Sequence, residues 1–171
     1  LDGRNALSFE PLAGVIEARL DGESVTVGLT PPLDFRIRDR IDTSSGELEI
    51  HSVNTGVPHA VLFVDDADAA MVSKLGHEIR HHDHYAPAGT NVNFAQRTGD
   101  SSIRVRTYER GVGATLACGT GVSAAALIPA RAATARMRGH VRSLHASSPP
   151  AAAITARSAL KSRCAPWWVL V

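Results

Sequence analysis

A single cysteine set among glycines, Cys118-Gly119-Thr120-Gly121, constrains this chain more than any other feature. It follows a run of strand-like segments and leads straight into Thr120–Ile128, an alanine-rich stretch that favours a helix. The flanking glycines carry no Cβ, so the backbone N–H groups that concentrate at a helix start can approach an anion closely. The same terminus favours a thiolate. A free thiol titrates near about 8.5, and a helix N-terminus lowers that by about a unit or more. The expectation is a reactive cysteine at a strand-to-helix junction beside a carboxylate site; the alternative is a buried structural cysteine at a turn. A phosphate-cleaving cysteine loop wants arginine six residues on, where this chain has Ala124. A cysteine protease needs a histidine base, and although His59 is available, nothing in the sequence aims it at Cys118. What remains is a thiol that moves protons.

Short segments surround that junction. Val15–Leu20 and Ser24–Leu29 alternate, with Asp21-Gly22 between them as a hairpin signal. Leu48, Ile50 and Val53, then the apolar run Ala60–Val64, read as strands. Ala69, Val72, Leu75 and Ile79 fall near one face of a helix over Asp68–Ile79. Thr90–Gln96 and Ser101–Glu109 read as strands around the turn Thr98-Gly99-Asp100. The expected class is α+β with many short antiparallel strands.

A chain of 171 residues allows one domain, or one and a fraction. It begins at Leu1 rather than Met, and a fragment or processed product is the expectation. The opening residues lack a charged leader followed by an apolar core, so no signal peptide is expected. No apolar run approaches the roughly 20 residues that span a bilayer. The net charge of +1 is unevenly spread: residues 1–128 hold 17 acidic and 11 basic residues, a net of −6, and residues 129–171 hold seven basic and no acidic ones. An acidic body argues against nucleic acid as a partner. The segment 129–171, dominated by Ala, Arg, Ser and Pro, reads either as a disordered basic tail or as the product of a shifted reading frame. Cys118 and Cys164 are too few for a disulfide framework and suit a cytoplasmic chain with reduced thiols. His81, His82 and His84 lack a well-placed further ligand, so an exposed loop and no metal are expected there.

Glu109-Arg110-Gly111 followed by Ala117-Cys118-Gly119-Thr120-Gly121 resembles, at this spacing, the second cysteine signature of diaminopimelate epimerases. Phe9–Leu20 is similar to the family's Thr-x-Ala-Gly stretch, with Pro11 in place of Thr. Val53–Asp66 is similar to its Gly-Asn-Pro-His segment, with Val57 in place of Asn, and Leu75–Phe94 to the segment carrying Gly-Thr-Asn-Val. Ala114 stands where glutamate is common. The resemblance covers about residues 8–128.

The resemblance implies an α+β fold: an antiparallel, barrel-like sheet around a central helix, one of two pseudo-symmetric domains. Residues 1–31 would be a remnant of the first domain and crossover strands, 32–128 the C-terminal epimerase domain, and 129–171 an atypical basic tail. It implies an isomerase of lysine biosynthesis in the cytoplasm that interconverts L,L- and meso-diaminopimelate with two cysteines and no cofactor. Its partner would be that small molecule, with neither nucleic acid nor membrane, and a homodimer is the assembly considered for the full-length family. Cys118 would be one of the two acid/base residues. Gly119 and Thr120 would offer N–H groups to the α-carboxylate, Glu109 would take the distal ammonium, Arg110 and Asn91 the distal carboxylate, and His59 would stand just behind the substrate. The family's other cysteine, in an Asn-Gly-x-x-Cys segment, has no counterpart, and Cys164 lacks a glycine cradle. This chain alone is therefore expected to be inactive. The rival readings are a catalytically inactive remnant and a related amino- or imino-acid racemase.

Overall fold

Alternating apolar and polar residues build two sheets. The computed structural model describes residues 6–10, 16–21, 24–100, 102–138 and 153–157. Strands β1 (Ala6–Phe9), β2 (Ile16–Asp21) and β3 (Ser24–Gly28) pair antiparallel in sequence order. Then come β4 (Leu33–Thr43), β5 (Gly46–Asn54), β6 (Pro58–Phe63), helix α1 (Val72–Arg80), β7 (Asn91–Gly99), β8 (Ser102–Glu109), β9 (Gly113–Thr115) and helix α2 (Gly119–Arg138). A last strand, β10 (Ala153–Arg157), returns to pair antiparallel with β3. The sheet orders are β1-β2-β3-β10 and β4-β5-β6-β7-β8-β9.

The six-stranded sheet buries both faces, one under each helix. Ile50, Ala60, Leu62, Val92 and Phe94 pack with Val72 and Ile79 of α1. Val53, Val61 and Ala95 pack with Ala124, Ala125 and Ile128 of α2. Side chains two apart along a strand share a face. That parity puts Ala60 and Leu62 under α1 and His59 and Val61 under α2. Each buried Ile, Val or Phe contributes on the order of 1.5–3 kcal/mol. A sheet around a helix is thus borne out.

Three features depart from the sequence reading. First, β6 and β7 run parallel, with His59 opposite Asn91, because the chain crosses over through α1 between them. Second, α2 does not stop at Ile128 but continues through Pro129 to Arg138. Proline inside a helix costs a hydrogen bond, but the alanines at 124–126, 130, 132, 133 and 135 are the strongest helix formers and offset it. Third, the reading recognised no strand beyond Ile128, and β10 supplies one, with β-branched Ile154 and Thr155 at its centre. Cys164, Trp167 and Trp168 lie outside the described residues.

Strand β4 escaped the reading because its alternation changes phase. Phe35 and Ile37 pack toward α2 whereas Ile41 joins the α1 cluster, although all three are odd-numbered. Register shifts between Leu33 and Arg36 and between Arg36 and Asp39, with left-handed φ at Asp34 (54°) and Arg38 (64°), insert the residues that swap the faces.

The histidine loop is stapled to β4. His82 donates from Nε2 to the Asp42 carbonyl at 3.0 Å and accepts the His84 N–H at Nδ1, while His84 lies 3.3 Å from Asp39. No group of three metal-ligating side chains occurs among the described residues. Nor is any described helix long and apolar enough to cross a membrane.

Candidate active site

The strip of sheet beneath α2 is apolar in the middle and polar at one end. Val61, Ala95 and Val105 lie under the body of the helix. One or more pleats away, His59, Asn91, Asn93 and Thr107 are all buried. The polar end meets the start of α2, where Cys118 sits. The Cys118 carbonyl accepts the Val122 N–H at 2.9 Å, so Cys118 is the residue that caps the helix.

Its half-buried sulfur has two kinds of neighbour. The Thr120 hydroxyl lies 3.5 Å from Sγ, and the Gly121 N–H also points at it. Both favour thiolate. Glu109, at the end of β8, acts in the opposite sense through its charge and by accepting the thiol's hydrogen. Thr115 on β9 fixes that carboxylate with a 2.7 Å hydrogen bond. The sequence led us to expect a lowered thiol pKa. The structure reverses this: burial is the largest influence and outweighs both donors, and Glu109 adds to it, so the thiol titrates above its ordinary value. At neutral pH Cys118 is mostly a thiol.

His59 stands behind Thr120. Its Nε2 is 3.0 Å from Thr120 Oγ1, and its Nδ1 is 3.0 Å from Asn93 Nδ2. Burial first, and the Arg110 charge second, push its pKa down to about 4. The linkage has a definite sign. Between about 4 and the ordinary 6.5 the unfolded chain binds a proton that the folded chain refuses. His59 therefore costs stability as pH falls through that window, reaching about 3 kcal/mol below it. Urea denaturation of wild type and His59→Gln at several pH values should give a stability difference that is flat above pH 7 and moves in favour of the variant below it. A difference independent of pH would show that His59 protonates in the folded state.

The other expected residues are near but differently engaged. The Asn91 side-chain oxygen accepts from the Arg110 backbone N–H at 2.8 Å, tying β7 to the turn after β8. The Arg110 guanidinium donates to the Ala88 carbonyl at 3.3 Å. Gly111, at φ 80°, provides the left-handed turn that brings β9 back. Gly119 is the exposed first residue of α2. Cys118, Glu109, Thr120 and His59 thus form one connected group, with Asn91 and Arg110 as an adjoining pair. Sequence reasoning missed Asn93, Thr107, Thr115 and Thr55, whose hydroxyl donates to the Thr120 carbonyl at 3.0 Å. The signal for Asn93 was present: it lies two residues beyond Asn91 on a strand and so shares its face.

A family model described as diaminopimelate epimerase matches residues 51–144. The chain belongs to the diaminopimelate epimerase family. The matched residues contain the whole site and run past Ile128, where the sequence reading saw the resemblance end. A diaminopimelate epimerase of Hydrogenobaculum sp. (strain Y04AAS1) is 52% identical over 120 residues, covering 68% of this chain and 43% of that protein. One from Aquifex aeolicus (strain VF5) is 48% identical over 128 residues, covering 72% and 45%. The chain thus spans less than half the length of these diaminopimelate epimerases. Among solved structures, a probable proline racemase from Agrobacterium radiobacter K84 superposes with TM-score 0.56 at 21% identity, over 96% of this chain and 55% of that one. A hydroxyproline epimerase from Agrobacterium vitis gives 0.54 at 22%, over the same shares. These two likenesses show the fold.

Proposed function

We propose that this chain supplies one side of a diaminopimelate-epimerising centre, with Cys118 as one of its two acid/base groups. The observation that carries the reading is the double environment of the sulfur. Thr120 and Gly121 donate to its thiolate, and Glu109 accepts from its thiol. A group that must both give and take a proton needs both forms supported.

In the proposed reaction the thiolate of one cysteine removes the α-hydrogen from one face of the substrate. The electron pair left on the α-carbon spreads into the α-carboxylate. The thiol of the second cysteine delivers a proton to the opposite face, and the return reaction exchanges the roles. The N–H groups of Gly119 and Thr120 at the start of α2 stabilise the carboxylate as charge accumulates on it. Arg110 and Asn91 take the distal carboxylate, and Glu109 the distal ammonium. Its contact with the thiol gives Glu109 a second role, holding Cys118 protonated between turnovers. No cofactor enters this scheme. The full-length family's setting, cytoplasmic lysine biosynthesis by a homodimer, is part of the same reading, as is the division into 1–31, 32–128 and 129–171.

Cys164 lacks a glycine cradle, so the second cysteine of this scheme belongs to the part of the relatives' length that the chain does not span. The 171-residue chain incubated with L,L-diaminopimelate in heavy water should therefore form no meso isomer. Joined to the N-terminal half of the Hydrogenobaculum relative, it should form that isomer with deuterium at the inverted carbon. Conversion by the chain alone would sink the two-sided scheme, and a folded, substrate-binding fusion without α-hydrogen exchange would sink the role of Cys118.

A further inference from the structure

Four side chains behind Cys118 form a hydrogen-bonded line whose direction can be assigned. Ala60 contributes a backbone carbonyl, which only accepts, so the Asn93 atom 3.1 Å from it is the amide nitrogen. The Thr107 hydroxyl donates to the other end of that amide, Oδ1, at 3.1 Å. Asn93 therefore has a single orientation. Its second N–H points at His59 Nδ1, 3.0 Å away, so that nitrogen is an acceptor and carries no proton. The ring proton is on Nε2, which donates to Thr120 Oγ1 at 3.0 Å. With its oxygen so occupied, the Thr120 hydroxyl turns its one hydrogen to the Cys118 sulfur at 3.5 Å.

We propose that Asn93 is a positioning residue: it holds His59 as the Nε2–H tautomer and thereby aims the Thr120 hydroxyl hydrogen at Cys118. This rests on the reading of Cys118 as the acid/base group. Asn93 presents no surface to a ligand. It is fully buried, and it acts through two intervening side chains. An independent observation agrees. A Cβ on Gly121 would overlap Asn93 Oδ1 outright and come within 3.2 Å of both Asn93 Cγ and Cys118 Sγ. The bare backbone there leaves the amide its place directly behind the sulfur. Glu109, acting on Cys118, and Arg110, acting on His59, are the charged groups that influence the line.

Nitrogen NMR of the full chain, labelled at histidine, reads the tautomer directly. Wild-type His59 should show a protonated Nε2 and a bare Nδ1 across the neutral range. Asn93→Asp replaces the donor by an acceptor, so Nδ1 should become protonated. Asn93→Ala should mix the two tautomers. The pH profile of Cys118 alkylation by iodoacetamide, followed by mass spectrometry of its own peptide so that Cys164 does not intrude, should move up by about half a pH unit or more in Asn93→Ala. Thr120→Val should move that profile at least as far while leaving the His59 tautomer as in wild type. A wild-type His59 protonated at Nδ1 overturns the proposal, and that measurement needs no variant to fold. A folded Asn93→Ala chain whose alkylation profile coincides with wild type overturns it too. Neither readout uses turnover. An epimerase reading that fails leaves both intact, and a failure here leaves inversion by the completed enzyme untouched.

Discussion

Cys118→Ala, in a protein completed with the N-terminal half of a relative, should abolish inversion of diaminopimelate in both directions. Each direction needs an acid on one face and a base on the other, and alanine supplies neither. Cys118→Ser separates chemistry from binding. Serine keeps the shape and can still donate and accept hydrogen bonds near Thr120 and Glu109. Its hydroxyl, however, gives up its proton only far above neutral pH, so turnover should fall by about 10³-fold or more while substrate still binds. Glu109→Gln should differ again. It removes the negative charge that favours the thiol and leaves only a weaker, neutral amide acceptor, and both changes act against the raised Cys118 pKa, so the thiol should titrate lower than in wild type. Deuterium incorporation, calorimetric binding and the alkylation profile read these three effects in turn. Near-normal inversion by Cys118→Ala would remove the motif from the chemistry altogether.

The position of Cys118 was legible in the sequence because it rests on local rules. Glycines around a cysteine and an alanine-rich run after it define a capped helix start, and α2 begins one residue from the expected place. Helix α1 was legible through Val72, Leu75 and Ile79, though its start moved in from Asp68 to Val72. The sign of the thiol pKa was not legible. A helix terminus is a local feature, but burial depends on how β6, β7 and α2 close over the sulfur, and Glu109 acts from another strand. The line from Asn93 to Cys118 was hidden for a related reason. It joins residues from two strands and a helix, and only the parallel register that sets His59 opposite Asn91 places Asn93 within reach of the His59 ring. The sequence hints that identified the family were contiguous motifs. The contacts that tune the site run across them.

Gly121→Ala is expected to have the largest effect on stability, and its sign decides whether the close approach behind Cys118 exists. On helix propensity alone, alanine near the start of α2 should gain about 1 kcal/mol over glycine. Packing opposes this. The new Cβ would occupy the space of Asn93 Oδ1 and press on the sulfur. Asn93 is a poor candidate for yielding, because it is fully buried and bonded to His59, Ala60 and Thr107. Moving it breaks at least one of those bonds in a site closed to water, at about 1–3 kcal/mol for each polar group left unsatisfied. Overpacking adds a similar amount. The clash should win, with a net loss of about 3 kcal/mol by urea denaturation. Asn93→Ala alone should also destabilise, since it strands the Ala60 carbonyl and the Thr107 hydroxyl. The two changes should not add: removing the amide makes room for the Cβ, so the double variant should recover more than about 1 kcal/mol of the sum. A Gly121→Ala chain that is more stable than wild type, or a double variant whose losses simply add, would mean that the helix start and the Asn93 amide do not meet.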